Sequence, residues 1–165
     1  MSGKQTVRNH LVVASPVGKL RLVASEKGLV AIDVRNNAKQ VVTTKDASAQ
    51  EILIKTKKQL EQYFAGKRTS FDVALDLVGT EFQVQAWRAL CRIPFGKTIS
   101  YGRQAANIKK PKAFRAVGSA NGKNPIPIIV PCHRVVASDG SLGGYSLGLK
   151  MKIQLLALEG VSEAE

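Results

Sequence analysis

The stretch Ser100–Gly122, SYGRQAANIKKPKAFRAVGSANG, predicts two short helices joined by a tight turn. The hydroxyl of Ser100 can cap a first helix that runs to about Asn107, because a serine oxygen accepts hydrogen bonds from the free amides of a first helical turn. After Lys109-Lys110-Pro111, a second helix covers about residues 112–121 and is stopped by the glycine that follows. Two short helices in this arrangement are typical of a helix-turn-helix motif.

A further helix precedes this motif. Thr80-Glu81-Phe82-Gln83 is a capping-box pattern that opens it, and Val84, Trp87 and Cys91 form an apolar stripe along it. Pro94-Phe95-Gly96 ends it. The stripe predicts that one face of this helix is buried against the rest of the domain.

The segment after the motif is first extended and then helical. Prolines interrupt the apolar run over residues 126–130, which predicts an extended segment leading to Cys132. Asp139-Gly140 marks a turn or wing, and a final helix covers about Leu149–Leu158 and closes at Gly160. Together these elements predict a winged-helix-like C-terminal domain.

The N-terminal half shows strands followed by one helix. Three partly alternating, β-branched runs cover residues 10–15, 20–25 and 29–35 and predict an antiparallel meander. Ser48-Ala49-Gln50-Glu51 is a capping-box pattern that opens a helix closed by Gly66. The apolar side of that helix carries Leu53, Leu60 and Phe64.

This change of pattern predicts two domains, residues 1–78 and 79–165, in a fold of the α+β class. A chain of 165 residues with 44% hydrophobic content is long enough to bury a core. The apolar link over residues 72–79 is expected to pack. No apolar run of about 18 residues occurs, and the start of the chain lacks the apolar block of a secretory signal. We therefore expect a soluble protein, cytoplasmic in a prokaryote and nuclear in a eukaryote.

The basic side chains are unevenly distributed. The chain has 25 Lys and Arg against 12 Asp and Glu, a formal net charge of +13 and a pI of about 10.1. No acidic residue occurs between Glu81 and Asp139. This acid-free stretch predicts a nucleic-acid face, and the alternative is a solvated basic surface. The basic residues within it are Arg88, Arg92, Lys97, Arg103, Lys109, Lys110, Lys112, Arg115, Lys123 and Arg134.

The chain has two cysteines, and only one of them is a candidate nucleophile. Cys91 lies on the predicted apolar stripe and is expected to be buried and inert. Cys132 precedes His133 in the acid-free stretch, where surrounding cations should lower the pKa of a thiol and the imidazole could take its proton. Glu159 could orient that imidazole. The alternatives are a core cysteine beside a surface histidine and a solvent-facing Glu159.

The segment Pro131-Cys132-His133-Arg134-Val135 resembles the active-site motif of the O6-alkylguanine-DNA alkyltransferases, also called methylated-DNA-protein-cysteine methyltransferases. The resemblance covers about residues 80–160, and Ser15-Pro16-Val17-Gly18 and Tyr63-Phe64-Ala65-Gly66 extend it into the N-terminal half. The other matching segments are Thr80-Glu81-Phe82-Gln83, Trp87, Ile99-Ser100-Tyr101, Pro111-Lys112-Ala113, Arg115-Ala116-Val117-Gly118, Asn124-Pro125, Gly144-Tyr145-Ser146 and Leu155-Leu156-Ala157-Leu158-Glu159-Gly160.

The resemblance implies DNA repair by direct, irreversible transfer of an alkyl group from O6-alkylguanine, and from O4-alkylthymine, to Cys132. Each molecule acts once, and no cofactor takes part. The implied architecture is a ribonuclease-H-like N-terminal domain and a C-terminal helix-turn-helix domain that flips the damaged base from the minor groove.

The resemblance also implies roles for individual residues. His133 deprotonates Cys132 through a water, Glu159 holds the imidazole, and Asn124 ties the active-site turn to the DNA-binding helices. Tyr101 donates a proton or a hydrogen bond to the leaving base and presses on the phosphate that rotates as the nucleotide flips. The residues placed around the flipped base are Tyr101, Pro127, Val135, Tyr145 and Ser146.

The helix over about residues 112–121 is, by the same resemblance, the one that contacts DNA. Arg115 matches the residue that enters the base stack, and Phe114 is larger than the alanine or valine expected beside it. Small residues along this helix suit a minor groove. The residues expected to contact DNA are Ser100, Lys112, Ala113, Arg115, Ala116, Gly118, Lys123 and Arg134.

The expected partner is double-stranded DNA containing O6-alkylguanine. The protein is expected to bind it as a monomer that can cluster along the duplex, and no membrane partner is expected. No metal is expected, since only His10 could contribute a ligand in the N-terminal domain, where some members of the family carry zinc. The alternative function is a binding module, either a lesion sensor that does not react or a helix-turn-helix regulator. The presence of Cys132 counts against the sensor, and the absence of a sensing or dimerisation segment counts against the regulator.

Overall fold

The computed structural model describes residues 8–34 and 46–161. The chain divides into two compact units, Met1–Leu77 and Val78–Glu165. No helix in the described ranges is both long and apolar enough to cross a membrane.

The first unit is built on a three-stranded antiparallel meander, which confirms the prediction. Strands β1 (Asn9–Val13), β2 (Leu20–Ala24) and β3 (Leu29–Asp33) pair in sequence order. Each strand is shorter than its predicted run, and the predicted end of the third at Arg35 lies outside the described residues. The expected packing of the link is seen at Leu75, which forms a parallel bridge with Leu29 of β3.

Helix α1 (Ala47–Phe64) completes this unit, and its start corrects the sequence prediction. Asp46 is the N-cap, and its Oδ1 accepts a hydrogen bond of 2.9 Å from the amide of Ala49. The predicted capping box over residues 48–51 is therefore wrong, because an aspartate two residues earlier already caps the helix through the amide of Ala49. Leu53 and Leu60 are buried as expected.

The second unit begins with helix α2 (Glu81–Leu90), and both bonds of the predicted capping box at Thr80 and Gln83 are present. Trp87 is buried and its indole donates to the carbonyl of Ala120 at 2.8 Å. Cys91 is exposed instead of buried, and it is the C-cap, one residue beyond the end of the helix at Leu90.

The helix-turn-helix consists of α3 (Tyr101–Asn107) and α4 (Phe114–Gly122). Ser100 caps α3 as predicted, accepting from the amide of Arg103 at 3.0 Å. A reciprocal pair of side-chain amides joins the two helices: Gln104 donates to Asn121 at 2.9 Å and Asn121 donates back at 2.8 Å. Both side chains are buried, so this pair fixes how the two helices pack.

The remaining elements connect the cysteine motif to the helix-turn-helix. Strands β4 (Ile99–Ser100) and β5 (Val135–Val136) pair in parallel, and a 3₁₀ turn over Cys132–Arg134 leads directly into β5. Helix α5 (Leu149–Leu158) packs against this turn. The predicted α+β class is confirmed.

Candidate active site

The loop before Cys132 is held in a strained conformation. Ile128 has a φ of 76°, in the left-handed region that a β-branched residue rarely adopts. Asn124 fixes the loop at both ends, because its Nδ2 donates to the carbonyl of Val130 at 2.7 Å and its Oδ1 accepts from the amide of Ile126 at 2.9 Å. The resemblance implies that Asn124 ties this turn to the DNA-binding helices; these two hydrogen bonds of its side chain lie within the loop itself.

Cys132 is the first residue of the 3₁₀ turn and is only 7% exposed. Burial raises the pKa of its thiol above the ordinary value, and hydrogen bonds from Asn124 and Tyr145 and the charge of Lys152 only partly offset this. The prediction that surrounding cations lower this pKa is wrong for the protein without substrate, since desolvation of the thiolate is the larger effect. Cys132 therefore rests as a thiol and needs a base.

His133 lies beside it with its imidazole fully buried. Its Nε2 is 2.7 Å from Oε2 of Glu159, and because a carboxylate only accepts, Nε2 carries the proton. Nδ1 is then the basic nitrogen, and it has no hydrogen-bond partner in the part of the chain that the structure describes. Burial lowers the pKa of His133, although Glu159 opposes this. The imidazole is thus neutral and able to accept a proton.

Glu159 is buried, which excludes the solvent-facing alternative. Besides His133, it accepts from Arg134 through Nε at 2.7 Å and Nη2 at 3.1 Å, and from the amide of Gly96 at 3.4 Å. Donors on both of its oxygens hold this carboxylate in one orientation. Glu159 therefore fixes the plane of the imidazole.

Arg134 corrects the sequence-based assignment to DNA contact. Its guanidinium is bidentate to Glu159, and its Nη1 donates to the carbonyl of Ile93 at 2.6 Å. The side chain is 7% exposed. The guanidinium is committed to the interior, where it balances the charge of Glu159, and cannot reach a phosphate.

Lys152 is a site residue that the sequence analysis missed. It is fully buried, and its Nζ donates to the carbonyls of Val135 at 2.7 Å, Gly144 at 3.2 Å and Leu142. Burial lowers its pKa to about 8, although the charge of the Cys132 thiolate opposes this. The signal lay in helical spacing, since the buried Lys152, Leu155 and Leu156 of α5 and its C-cap Glu159 follow one another at i, i+3, i+4 and i+7.

The thiol opens into a cavity of about 370 Å³, within the usual size of a small-ligand site. Tyr101 forms one wall, and a Cβ at Gly143 would lie 3.2 Å from its ring. Burial, and then the charge of Cys132, raises the pKa of the Tyr101 phenol, which therefore remains protonated. The lining residues are Tyr101, Gly118, Asn121, Gly122, Cys132, Gly144, Tyr145 and Ser146.

Tyr101, Tyr145 and Ser146, which the resemblance assigned to the base pocket, all line this cavity. Pro127 and Val135, also assigned to the base pocket, are buried side chains outside this lining. Their side chains pack in the interior, so at most their backbone faces the cavity.

The residues expected to contact DNA lie mostly on and around α4. Lys112, Arg115, Ala116 and Lys123 are exposed, whereas Ala113, Gly118 and Ser100 are half-buried. The hydroxyl of Ser100 is already the cap of α3. The exposed cations thus surround the helix that carries one wall of the cavity.

Two family models match the chain. The DNA-binding domain of the 6-O-methylguanine DNA methyltransferases matches residues 81–161, and their ribonuclease-like domain matches residues 10–77. The chain belongs to this family. The resemblance seen in the sequence is therefore confirmed, as is the pairing of a ribonuclease-like with a DNA-binding domain.

Individual members of the methyltransferase family are similar over much of their length. A methylated-DNA–protein-cysteine methyltransferase of Methanosarcina barkeri is 46% identical over 149 residues, 90% of this chain and 94% of the relative. One of Mycobacterium bovis is 58% identical over 101 residues, 61% of each chain.

Solved structures of family members are also similar. The O6-methylguanine methyltransferase of Mycobacterium tuberculosis has a TM-score of 0.82 at 41% identity, covering 96% of this chain and 97% of that chain. The M. tuberculosis protein OGT in complex with DNA has a TM-score of 0.81 at 45% identity, covering 92% of both chains.

Proposed function

We propose that this protein repairs DNA by transferring the alkyl group of O6-alkylguanine to the sulfur of its own Cys132. The observation that carries the proposal is the buried thiol at the wall of a base-sized cavity, beside an imidazole whose orientation Glu159 fixes at 2.7 Å. Family membership supports the same chemistry. O4-alkylthymine is a second substrate of the same kind, since it presents an alkyl group on an equivalent ring oxygen.

The reaction is a displacement at saturated carbon. Sγ of Cys132 attacks the alkyl carbon, a sulfur–carbon bond forms, and the bond between that carbon and O6 breaks with its electron pair going to the base. The thiol proton passes through a water to Nδ1 of His133, the basic nitrogen of the imidazole. The resulting thioether has no easy route back, so one molecule reacts once.

The leaving guanine must gain a proton. The phenol of Tyr101 lines the cavity and keeps its proton, so it can give that proton, or a hydrogen bond, to the base as the bond to O6 breaks. Exchange with solvent then returns the proton from His133 to Tyr101. The net result is one proton moved from Cys132 to guanine.

Lys152 keeps the cavity wall in place during this step. It holds the carbonyls of Val135, Leu142 and Gly144 together, and Gly144 also accepts from the Tyr101 hydroxyl at 3.4 Å. Its positive charge also favours the thiolate that forms at Cys132. The ammonium is a positioning group that does not need to touch the alkyl carbon.

The substrate reaches the cavity from duplex DNA. Because the alkylated oxygen lies inside the base stack, the nucleotide must be flipped out. Lys112 and Lys123 provide exposed charge for the backbone, and the exposed Arg115 enters the stack. The cavity and every side chain used in the reaction lie within residues 78–165, so one copy of the chain suffices.

Intact-mass spectrometry with a duplex oligonucleotide containing O6-methylguanine tests the proposal. We expect one addition of about 14 Da, saturating at one per molecule, on the peptide that contains Cys132. Cys132→Ser should abolish the addition and leave binding to DNA within about threefold, whereas the control Cys91→Ser, at the exposed thiol, should react as the unchanged protein does. Binding of the lesion without any addition would instead identify a non-reacting sensor.

A further inference from the structure

Phe114 is an exposed aromatic residue on the helix face that leads out of the cavity. It is the first residue of α4 and is 47% exposed. Gly118, Asn121 and Gly122 follow at helical spacing on the same face, and all three line the cavity. Because helical side chains lean toward the N-terminus, the ring covers the surface just beyond the cavity.

The surroundings of the ring indicate the chemistry of its partner. The guanidinium of the neighbouring Arg115 lies over the ring, 5.9 Å from its centre. Lys110 and Lys112 precede it, and all of them lie in the stretch without acidic residues. The Nζ of Lys110 lies over the ring of Phe82, at 5.2 Å, so it is Arg115 that the structure places over Phe114. An apolar ring next to a guanidinium, in a stretch rich in basic residues, fits a polyanion with flat apolar groups, as nucleic acid is, better than it fits an apolar protein surface.

We propose that the ring of Phe114 stacks inside the DNA duplex, against the bases next to the nucleotide that enters the cavity. This inference rests on the proposed function, because a base that enters the cavity leaves its neighbours without a stacking partner. The ring lies one helical turn from Gly118, which places it beside that gap. Arg115, whose guanidinium lies over the ring, separates the two neighbouring bases together with it.

The test compares duplex and free substrates for Phe114→Ala, Phe114→Trp and a control, Ile54→Ala. Ile54 is an apolar residue of α1 that is 57% exposed, so the control loses a similar amount of exposed apolar surface. We expect Phe114→Ala to slow alkyl transfer from duplex O6-methylguanine about tenfold and transfer from free O6-benzylguanine by less than about twofold. Phe114→Trp should stay within about twofold on both substrates, since it keeps an aromatic face.

A second readout does not depend on the reaction. 2-Aminopurine placed next to the lesion fluoresces when it loses its stacking partners, and a ring inserted beside it quenches that signal. When the Cys132→Ser variant binds this duplex, the fluorescence should stay quenched. When the double variant Cys132→Ser, Phe114→Ala binds, the fluorescence should be higher. Three results would overturn the stacking role. Phe114→Ala could leave the rate on duplex DNA unchanged, it could slow transfer equally on both substrates, or it could leave the 2-aminopurine fluorescence unchanged. If the unchanged protein transfers no alkyl group to Cys132 from either substrate, the proposed function fails, and the fluorescence still decides whether Phe114 stacks.

Discussion

Basic side chains within residues 78–165 occupy two opposite environments. Arg134 and Lys152 are buried, and each is held by oxygen acceptors: a carboxylate and a carbonyl for Arg134, three carbonyls for Lys152. Lys112, Arg115 and Lys123 extend into solvent around α4. A buried charge is tolerated only where its partners replace water, whereas an exposed charge is available to a phosphate. The number of basic residues in a stretch of sequence is therefore larger than the number of cations that DNA can contact.

The largest effect should come from breaking the buried ion pair. Arg134→Met removes both hydrogen bonds of the guanidinium, and its charge, from the buried carboxylate of Glu159, so we expect a loss of about 3–5 kcal/mol in the free energy of unfolding. Urea denaturation measures it. The control Arg115→Met, the same change at an exposed position, should stay within about 0.5 kcal/mol. Similar losses for the two variants would show that the two environments do not differ in energy.

Lys152→Met should have the next largest effect, on the reaction. The methionine fills a similar volume but donates to none of the three carbonyls, so the wall near Gly144 loses its position and the rate with free O6-benzylguanine should fall about tenfold. Because the ammonium lowers the pKa of the Cys132 thiol, direct ionisation of that thiol at alkaline pH, and the rise in rate that accompanies it, should begin at a higher pH in the variant.

Single-turnover rates across pH measure both changes. Lys150→Met, an exposed lysine of the same helix, is the matched control and should behave as the unchanged protein does. If Lys152→Met is slower but its pH profile is not shifted, Lys152 only positions the cavity wall near Gly144 and does not affect the pKa of Cys132.

An exposed lysine should affect only binding to DNA. Lys112→Ala should reduce the slope of log affinity against log salt concentration by about 1, uniformly across DNA sequences, because one phosphate contact is lost. Fluorescence anisotropy at several salt concentrations measures it, with the exposed Lys67 of the first unit changed to alanine as the control. Equal slopes for Lys112→Ala and the unchanged protein would remove this residue from the DNA surface.

The smallest change should be seen between pH 8 and pH 6.5. Burial holds the pKa of His133 below its ordinary value of 6.5, so the imidazole stays neutral and able to accept a proton across this range. The rate of transfer to Cys132 should therefore vary by less than about twofold there and decline only at lower pH. A rate that is already halved above pH 6.5 would mean that a group other than neutral His133 takes the thiol proton.

Much of this arrangement could be predicted from the sequence where the signal is local. The cap at Ser100, the capping box at Thr80 and the helix boundary near Gly122 depend on a few adjacent residues, and the structure has all three. The doublet Cys132-His133 was also found, because a thiol next to an imidazole is a chemical pattern in itself.

The parts that could not be predicted depend on burial. Nothing in the neighbourhood of Arg134 distinguishes it from the exposed arginines, since its partners Glu159 and Ile93 are distant in sequence. The sequence predicts a lowered pKa for the Cys132 thiol, whereas burial raises it, for the same reason: the charges around a residue can be counted in a sequence, but its desolvation cannot.

The amide pair between Gln104 and Asn121 also restricts how this chain can evolve. Replacing either residue alone by an apolar one leaves a buried amide without its partner, at a cost of about 1–3 kcal/mol. Replacing both with apolar residues of similar shape costs less, because neither amide is then left behind and only the bond from Gln104 to the carbonyl of Ala86, at 3.2 Å, is lost in addition. A lineage that exchanges the polar pair for an apolar one must therefore pass through a less stable ancestor, and the two positions should vary together among descendants.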